Sequence, residues 1–95
     1  MAIRSFKDKA TAAAFAQVPV KSHPPDIRKR ALGKLQQLDA AMTLDDLRVP
    51  PSNRLEALVG DREGQYSIRI NKQWRLCFRF SKSGPEDVEI SKHYE

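Results

Sequence analysis

Three arginines near the middle of the chain, Arg69, Arg75 and Arg79, are the side chains best suited by type and spacing to do chemistry. They occupy alternate positions of segments with strand-like periodicity, so all three should project from one face of a sheet. The planar guanidinium group offers paired N–H donors that match the oxygens of a phosphate. Converging guanidiniums would hold a scissile phosphate of RNA and stabilise the charge of its transition state. Solvated arginines on an outer strand face are the alternative interpretation.

The end of the chain supplies groups that could transfer a proton. His93 or Tyr94 could take the proton of a ribose 2′-hydroxyl or deliver one to the leaving oxygen, although terminal residues are also commonly just exposed. The 2′-hydroxyl would be the nucleophile, so no serine or cysteine nucleophile is required. Cys77 is the single cysteine, and with only His23 and His93 it cannot build a zinc site. We therefore expect no metal and no other cofactor, and we expect Cys77 to be a small residue at the core edge.

The overall charge favours a polyanionic partner. Seventeen Lys and Arg against twelve Asp and Glu give a net charge of +5. Trp74 and Tyr66 could stack on bases, but their parity makes them core residues first. The basic face of the second predicted helix could contact RNA or another partner, but a solvated face is the more frequent explanation of such a run. The further candidates for RNA contact are Arg62, Lys72, Gln73, Arg79 and Lys92.

Two alternating segments, residues 66–70 and 74–80, must position the arginines. The short polar link at residues 71–73 predicts a β-hairpin. The inward-facing set would be Tyr66, Ile68, Ile70, Trp74, Leu76, Phe78 and Phe80. The predicted cross-strand pairs are Ile70 with Trp74, Ile68 with Leu76, Tyr66 with Phe78, and Arg69 with Arg75. Because like charges in direct opposition destabilise a sheet, an anion between Arg69 and Arg75 would relieve the repulsion.

The N-terminal half predicts one short strand followed by two helices. Residues 2–6 should form the strand, and residues 9–17 an alanine-rich helix with Asp8 as its N-cap. Residues 26–41 should form the second helix, opened by Pro24-Pro25. Its predicted apolar stripe consists of Ile27, Ala31, Leu35, Leu38 and Met42.

The remaining segments complete an α+β pattern. Thr43 should cap a one-turn helix with Asp46 at the capping-box position. Residues 54–58 should form a strand with Leu55 facing inward and Ala57 a further candidate, and a last strand should lie around Val88 and Ile90. We expect one domain spanning residues 1–95, with two N-terminal helices packed on a twisted, mainly antiparallel sheet. The chain has no long apolar run and no secretory segment, which predicts a cytoplasmic protein without membrane contact.

Several segments resemble the HigB branch of the RelE-like toxins of bacterial toxin–antitoxin systems. These are IRSF at 3–6, LDAAMTLDDLRVPPSNRL at 38–55, RLEALVGDREGQYSIRINKQWRLCFRF at 54–80 and VEI at 88–90. The resemblance implies a RelE-like fold and a metal-independent endoribonuclease that cleaves mRNA on the ribosome. It also implies a HigA-like helix-turn-helix antitoxin, through which alone the protein would reach operator DNA.

The resemblance also assigns residues. Arg75 matches the catalytic arginine of the family, Arg69 matches a basic position of close relatives, and Tyr94 or His93 stands where the family ends in a Tyr-His pair. An ungapped match puts His93 on the tyrosine and Tyr94 on the histidine, whereas a shift of one residue pairs Tyr94 with the tyrosine.

Two departures from the family pattern support a second hypothesis. Glu56 and Val59 replace a histidine and a lysine that many relatives carry before the GDR turn, and the tail is altered. The alternative is therefore a weak or inactive nuclease that acts mainly as an antitoxin-binding corepressor, or a plain RNA-binding module.

Overall fold

The computed structural model describes residues 1–92, in which two helices pack against a four-stranded antiparallel sheet. The helices are α1, Lys9–Phe15, and α2, Pro25–Ala40. The strands are β1, Glu56–Ala57; β2, Tyr66–Arg69; β3, Trp74–Ser81; and β4, Gly84–Lys92. They follow one another across the sheet in chain order, and each pairs antiparallel with the next. The predicted α+β arrangement is confirmed, while His93 and Tyr94 lie outside the described residues.

The α1 helix begins at the predicted residue, Lys9, and α2 begins at Pro25, one residue before its predicted start. The Asp8 carboxylate accepts a hydrogen bond from the Thr11 amide at 2.7 Å, which caps α1. The α1 helix ends at Phe15 because Gln17 has a positive φ of 61°. In α2 the buried stripe is Ile27, Ala31, Leu35 and Leu38, as predicted. Met42 was wrongly assigned to that stripe, since α2 ends at Ala40 and Met42 is 65% exposed.

A short 3₁₀ helix, Leu44–Arg48, follows α2 and carries the predicted capping box. The Thr43 hydroxyl accepts from the Asp46 amide at 3.3 Å. The Asp46 carboxylate accepts from the Thr43 and Met42 amides at 3.0 and 2.8 Å. These backbone hydrogen bonds hold the pKa of Asp46 below its usual range.

The central hairpin has the predicted register. Tyr66 pairs with Phe78, Ile68 with Leu76 and Arg69 with Arg75. The Ile70 amide donates to the Trp74 carbonyl at 2.9 Å, and the Asn71 side chain closes the turn by accepting from two backbone amides. Since the inward side chains Ile68, Leu76 and Phe78 are fully buried, the side chains of alternate parity project from the opposite face of the sheet.

Residues 2–6 do not form the predicted strand. Within this segment only Phe6 forms a bridge, which is parallel and joins it to Val88. Backbone hydrogen bonds from Arg4 to Pro85 and from Val88 to Ser5 still hold the segment beside β4. The segment does not pair continuously with β4 because β4 bends near Asp87. This residue has a positive φ of 51°, and the β3–β4 register shifts nearby.

The strand predicted over residues 54–58 is reduced to Glu56–Ala57. It begins late because Arg54 is in the left-handed conformation, with φ 45° and ψ 56°. Leu55 packs against the core as predicted, but Ala57 is exposed, so its inward assignment is wrong. Among residues 1–92, no helix combines the length and hydropathy that crossing a bilayer requires.

His23 is a buried residue of the loop that joins the two helices. It is 7% exposed, and its ring meets Trp74 edge-on with centroids 5.6 Å apart. Burial lowers the pKa of His23 below its ordinary value of 6.5; Asp8 opposes this lowering and Arg28 adds to it. The Nδ1 atom has no hydrogen-bond partner among residues 1–92, so the fold favours neutral His23.

We expect the fold to lose stability in mild acid through His23. Below the unfolded-state value of 6.5, the unfolded chain binds a proton that the folded chain resists. The free energy of unfolding should therefore fall as the pH drops through 6.5 toward the lower folded-state pKa. Urea denaturation between about pH 8 and about pH 5 measures this dependence. The variant His23→Gln should have a flatter profile in this window, and an unchanged slope would contradict the assignment.

Candidate active site

A groove of about 510 Å³ lies on the sheet face opposite the helices. Outer-face residues of β2, β3 and β4 line it together with β1 and the segment that follows β1. The lining residues are Glu56, Ala57, Leu58, Val59, Arg62, Ser67, Arg75, Cys77, Ser91 and Lys92. The alternation of β3 brings Arg75 and Cys77 into this groove for the same reason that it buries Leu76 and Phe78 in the core.

Arg75 is held in the groove by three acceptors. Its Nε donates to the Ser67 hydroxyl at 2.9 Å, and its Nη2 donates to the Arg54 carbonyl at 3.0 Å. The Glu56 carboxylate lies 3.5 Å from the same Nη2. The side chain is 14% exposed, so the guanidinium group is fixed yet reachable from the groove. Such fixed donors suit the stabilisation of charge that develops on a bound phosphate.

Arg62 and Cys77 line the same groove as Arg75. Arg62 Nη1 lies 3.1 Å from the Glu89 carboxylate, so an RNA phosphate must compete with that carboxylate for it. Cys77 is buried, as a small core-edge residue should be. Burial raises the pKa of the Cys77 thiol, with Arg62 as the main opposing influence. The thiol therefore stays protonated at neutral pH and serves as wall rather than nucleophile.

The prediction that the three arginines share one pocket is wrong. Arg69 Nε donates to the Asn71 carbonyl at 3.1 Å, and its side chain lines a different pocket. β2 ends at Arg69, so this side chain turns toward the end of its own strand. Arg79 lies beyond the register shift of β3 and pairs with Asp87 at 3.6 Å. Only Arg75 of the three lines the groove.

The other predicted contact residues are divided between sites. Lys92 lines the groove, and its Nζ lies 5.9 Å from the centroid of the Trp74 ring. Lys72 lines the same pocket as Arg69, and Gln73 is exposed at the hairpin tip. His93 and Tyr94 lie outside the described residues and directly follow Lys92 in the chain.

Sequence reasoning missed the groups that orient Arg75. Ser67 follows from parity, because it lies on the outer face, but its hydrogen bond to Arg75 was not anticipated. The Arg54 carbonyl reaches Arg75 only because Arg54 is left-handed, which no residue type signalled. Glu56 was noted as a departure from the family pattern, and the structure shows that it faces Arg75.

The family model for the RelE-like toxin of the type II toxin–antitoxin system HigB matches residues 4–94. The chain belongs to the HigB-like toxin family. The toxin HigB-1 of Vibrio cholerae serotype O1 is 49% identical over 57 residues, which are 60% of this chain and 60% of that protein. The endoribonuclease HigB of Proteus vulgaris is 33% identical over 78 residues, which are 82% of this chain and 84% of that protein.

A solved structure shares the fold of this HigB-like toxin. The YoeB–YefM complex from Staphylococcus aureus contains a chain that aligns with a TM-score of 0.61 and 16% identity. The alignment covers 100% of this chain and 99% of that one. Together with the family match, it confirms the predicted RelE-like fold.

Proposed function

We propose that this HigB-like toxin is a metal-independent endoribonuclease that cleaves mRNA on the translating ribosome in the cytoplasm. The observation that carries the proposal is the fixed guanidinium group of Arg75 in the groove. The printed name of the Proteus vulgaris relative, endoribonuclease HigB, supports the reaction class. The net charge of +5 supports a polyanionic substrate.

The reaction begins when the ribose 2′-oxygen attacks the adjacent phosphorus. A base, His93 or Tyr94, takes the 2′-hydroxyl proton while the bond from phosphorus to the 5′-oxygen breaks. The 5′-oxygen receives a proton from the other of these two residues and leaves as a hydroxyl, and the other fragment ends in a 2′,3′-cyclic phosphate. Arg75 stabilises the negative charge on the non-bridging oxygens, which is greatest in the transition state. Arg62 joins it when RNA displaces Glu89, and Lys92 contributes charge at the groove edge.

The proposal is tested by expressing the chain under a tight promoter and mapping the 5′ ends of cellular RNA. We expect new 5′-hydroxyl ends within translated regions, together with growth arrest. The same message supplied without a start codon should stay intact if the ribosome is required. Folded protein that produces neither new ends nor a growth defect would contradict the proposal.

Glu56 competes with the substrate for Arg75, and we expect Glu56→Gln to tighten RNA binding. The carboxylate is more than half exposed, so the pair contributes only about 0.2–1 kcal/mol. Removing it should raise affinity for a 2′-O-methyl RNA by a factor of about 1.4 to 5 at constant salt. Fluorescence anisotropy measures the affinity, and Glu63→Gln serves as the control because Glu63 is exposed and lies outside the groove lining. Weaker binding by Glu56→Gln would contradict this role.

The Glu56–Arg75 contact also favours the second candidate, a weak nuclease that acts mainly through its antitoxin. The family match supports an antitoxin as the binding partner of this chain. We propose that this antitoxin is a HigA-like helix-turn-helix protein, which would link the complex to operator DNA. Expression of a neighbouring helix-turn-helix reading frame should restore growth if the chain is toxic. If the chain alone is harmless but strengthens operator binding by that partner, the second candidate holds instead.

A further inference from the structure

A second pocket, of about 460 Å³, concentrates positive charge outside the groove. Its basic residues come from α2, from the start of the segment leading to β1, and from the β2–β3 hairpin. The lining residues are Arg30, Lys34, Ser52, Arg54, Arg69, Ile70, Asn71 and Lys72. Five of these eight are cationic, and the one apolar member, Ile70, is almost fully buried. We call this the basic pocket.

The charge of the basic pocket is uncompensated within residues 1–92. None of its five cationic side chains has a described carboxylate within 4.0 Å, whereas Arg62, Arg75 and Arg79 each have one. Lys34 donates to the Asn53 side chain at 2.5 Å, and Arg69 donates to a backbone carbonyl. Both partners are neutral, so the positive potential of the pocket persists and attracts an anion.

Arg54 joins the basic pocket to the groove. The preceding residue, Asn53, is fully buried, and its amide group donates to the Leu47 carbonyl and the Gln37 side chain, each at 3.1 Å. These bonds anchor the loop against α2, and the next residue, Arg54, is in the left-handed conformation. The Arg54 side chain then lines the basic pocket while its carbonyl accepts from Arg75 Nη2. The two sites are therefore neighbours.

We propose that the basic pocket binds a backbone phosphate of the RNA strand whose neighbouring linkage is held at Arg75. This inference rests on the proposed function. The arginine forks of Arg30, Arg54 and Arg69 suit phosphate oxygens, and Lys34 and Lys72 add point charges. A strand held at two points would be fixed in register relative to Arg75.

The chemistry of the lining favours RNA over a protein partner. A helix that docks in a groove needs apolar positions to receive its anchors, and the basic pocket offers only buried Ile70. Phosphate requires only charge and hydrogen-bond donors, which the pocket supplies. An acidic peptide remains the competing ligand in the test.

The test compares a 2′-O-methyl RNA decamer with a dinucleotide as ligands of the full chain. The variant Arg30→Gln/Lys72→Gln removes two exposed charges on separate elements, neither of which is in an ion pair within residues 1–92. We expect it to bind the decamer about tenfold more weakly, with the slope of log K against log salt reduced by about 0.7, the value for loss of one phosphate contact on a single strand. Its affinity for the dinucleotide should be unchanged.

The matched control is Lys9→Gln/Lys82→Gln, which removes the same charge from exposed positions outside both sites. An equal loss in the control pair would overturn the inference, because net charge would then explain the effect. Tighter binding of a hexaglutamate peptide than of RNA at Arg30 and Lys72 would also overturn it. If the variant failed to fold, arginine ¹⁵Nε shifts of the wild-type chain on adding the decamer would decide: movement of Arg30 and Arg69 supports the site, and silence there overturns it.

The readouts separate this inference from the proposed function. If the variant binds the decamer normally and the wild-type chain cleaves RNA through Arg75, the inference about the basic pocket is contradicted and the proposed function is not. If the variant binds the decamer weakly and the wild-type chain never cleaves RNA, the proposed nuclease function is contradicted and the inference about the basic pocket is not. When both hold, the variant should raise KM for long RNA about tenfold and leave kcat nearly unchanged.

Discussion

Replacing Arg75 by glutamine should reduce single-turnover cleavage of ribosome-bound mRNA by about 10²- to 10³-fold, the range for loss of one preorganised transition-state donor. The guanidinium group is held by Ser67 and the Arg54 carbonyl before substrate arrives, so no reorganisation is needed when charge develops. The effect should fall mainly on kcat, because the interaction strengthens in the transition state. Quenched-flow cleavage of a programmed ribosome complex measures it.

Two comparisons make that result specific to Arg75. Arg75→Lys keeps the charge but loses the fork that spans Ser67 and Arg54, so it should remain strongly impaired. Lys82→Gln alters an exposed residue of the β3–β4 turn and should cleave at the wild-type rate. Circular dichroism should show that all three variants are folded. Arg75→Gln cleaving within threefold of wild type would remove Arg75 from the reaction.

Replacing Phe78 by alanine should destabilise the fold by about 3–5 kcal/mol. Phe78 is fully buried in the centre of β3, with its ring centroid 6.3 Å from that of Tyr66. The loss is a large share of the roughly 5–15 kcal/mol available to a domain of this kind. Urea denaturation with a common m-value measures the change.

Val49→Ala is the control for the core substitution, because Val49 is 73% exposed. It should change stability by no more than about 0.5 kcal/mol. If Phe78→Ala cost less than about 1 kcal/mol, the inward parity of β3 would be wrong. The outward orientation of Arg75 depends on the same alternation, so its assignment to the groove would then be wrong as well.

Alternation in the hairpin predicted most of what positions the site. The pairing of Tyr66 with Phe78 and of Arg69 with Arg75 followed from requiring both apolar sets to face one core. A strand has only two faces, so burying one set leaves the other set outside. The caps at Asp8 and Thr43 were equally readable, because each depends on a residue type at a fixed distance from its helix.

The sequence did not predict where the guanidinium groups of Arg69 and Arg79 lie once their side chains leave the strand face. Arg69 and Arg79 have the predicted parity, but the end of β2 and the irregularity near Asp87 send their guanidinium groups to separate partners. Those departures depend on backbone conformation, and Asp87 and Arg54 adopt positive φ without being glycine. Parity gives the face of a sheet and says nothing of where a long, flexible side chain ends.

The basic pocket was hidden for a different reason. Lys72 was a candidate for RNA contact, but Arg30 and Arg54 are far from it in sequence, and nothing in the sequence joined the three into one pocket. The buried Asn53 ties α2 to the loop before β1 and so brings Arg54 near Arg30, while Lys72 reaches the pocket from the β2–β3 hairpin. A single polar residue in a loop gives no signal of such a role until the chain is folded.

The central claim is that RNA is held and cut in the groove at Arg75, and arginine ¹⁵Nε NMR with an uncleavable 2′-O-methyl RNA tests it most directly. Arg75 Nε donates to Ser67, and Arg62 is paired with Glu89 in the same groove, so both should shift as RNA is added. Arg48, whose pair with Asp45 lies outside both pockets, should not. Shifts at Arg48 that match those at Arg75, or a silent Arg75 at saturation, would contradict the account.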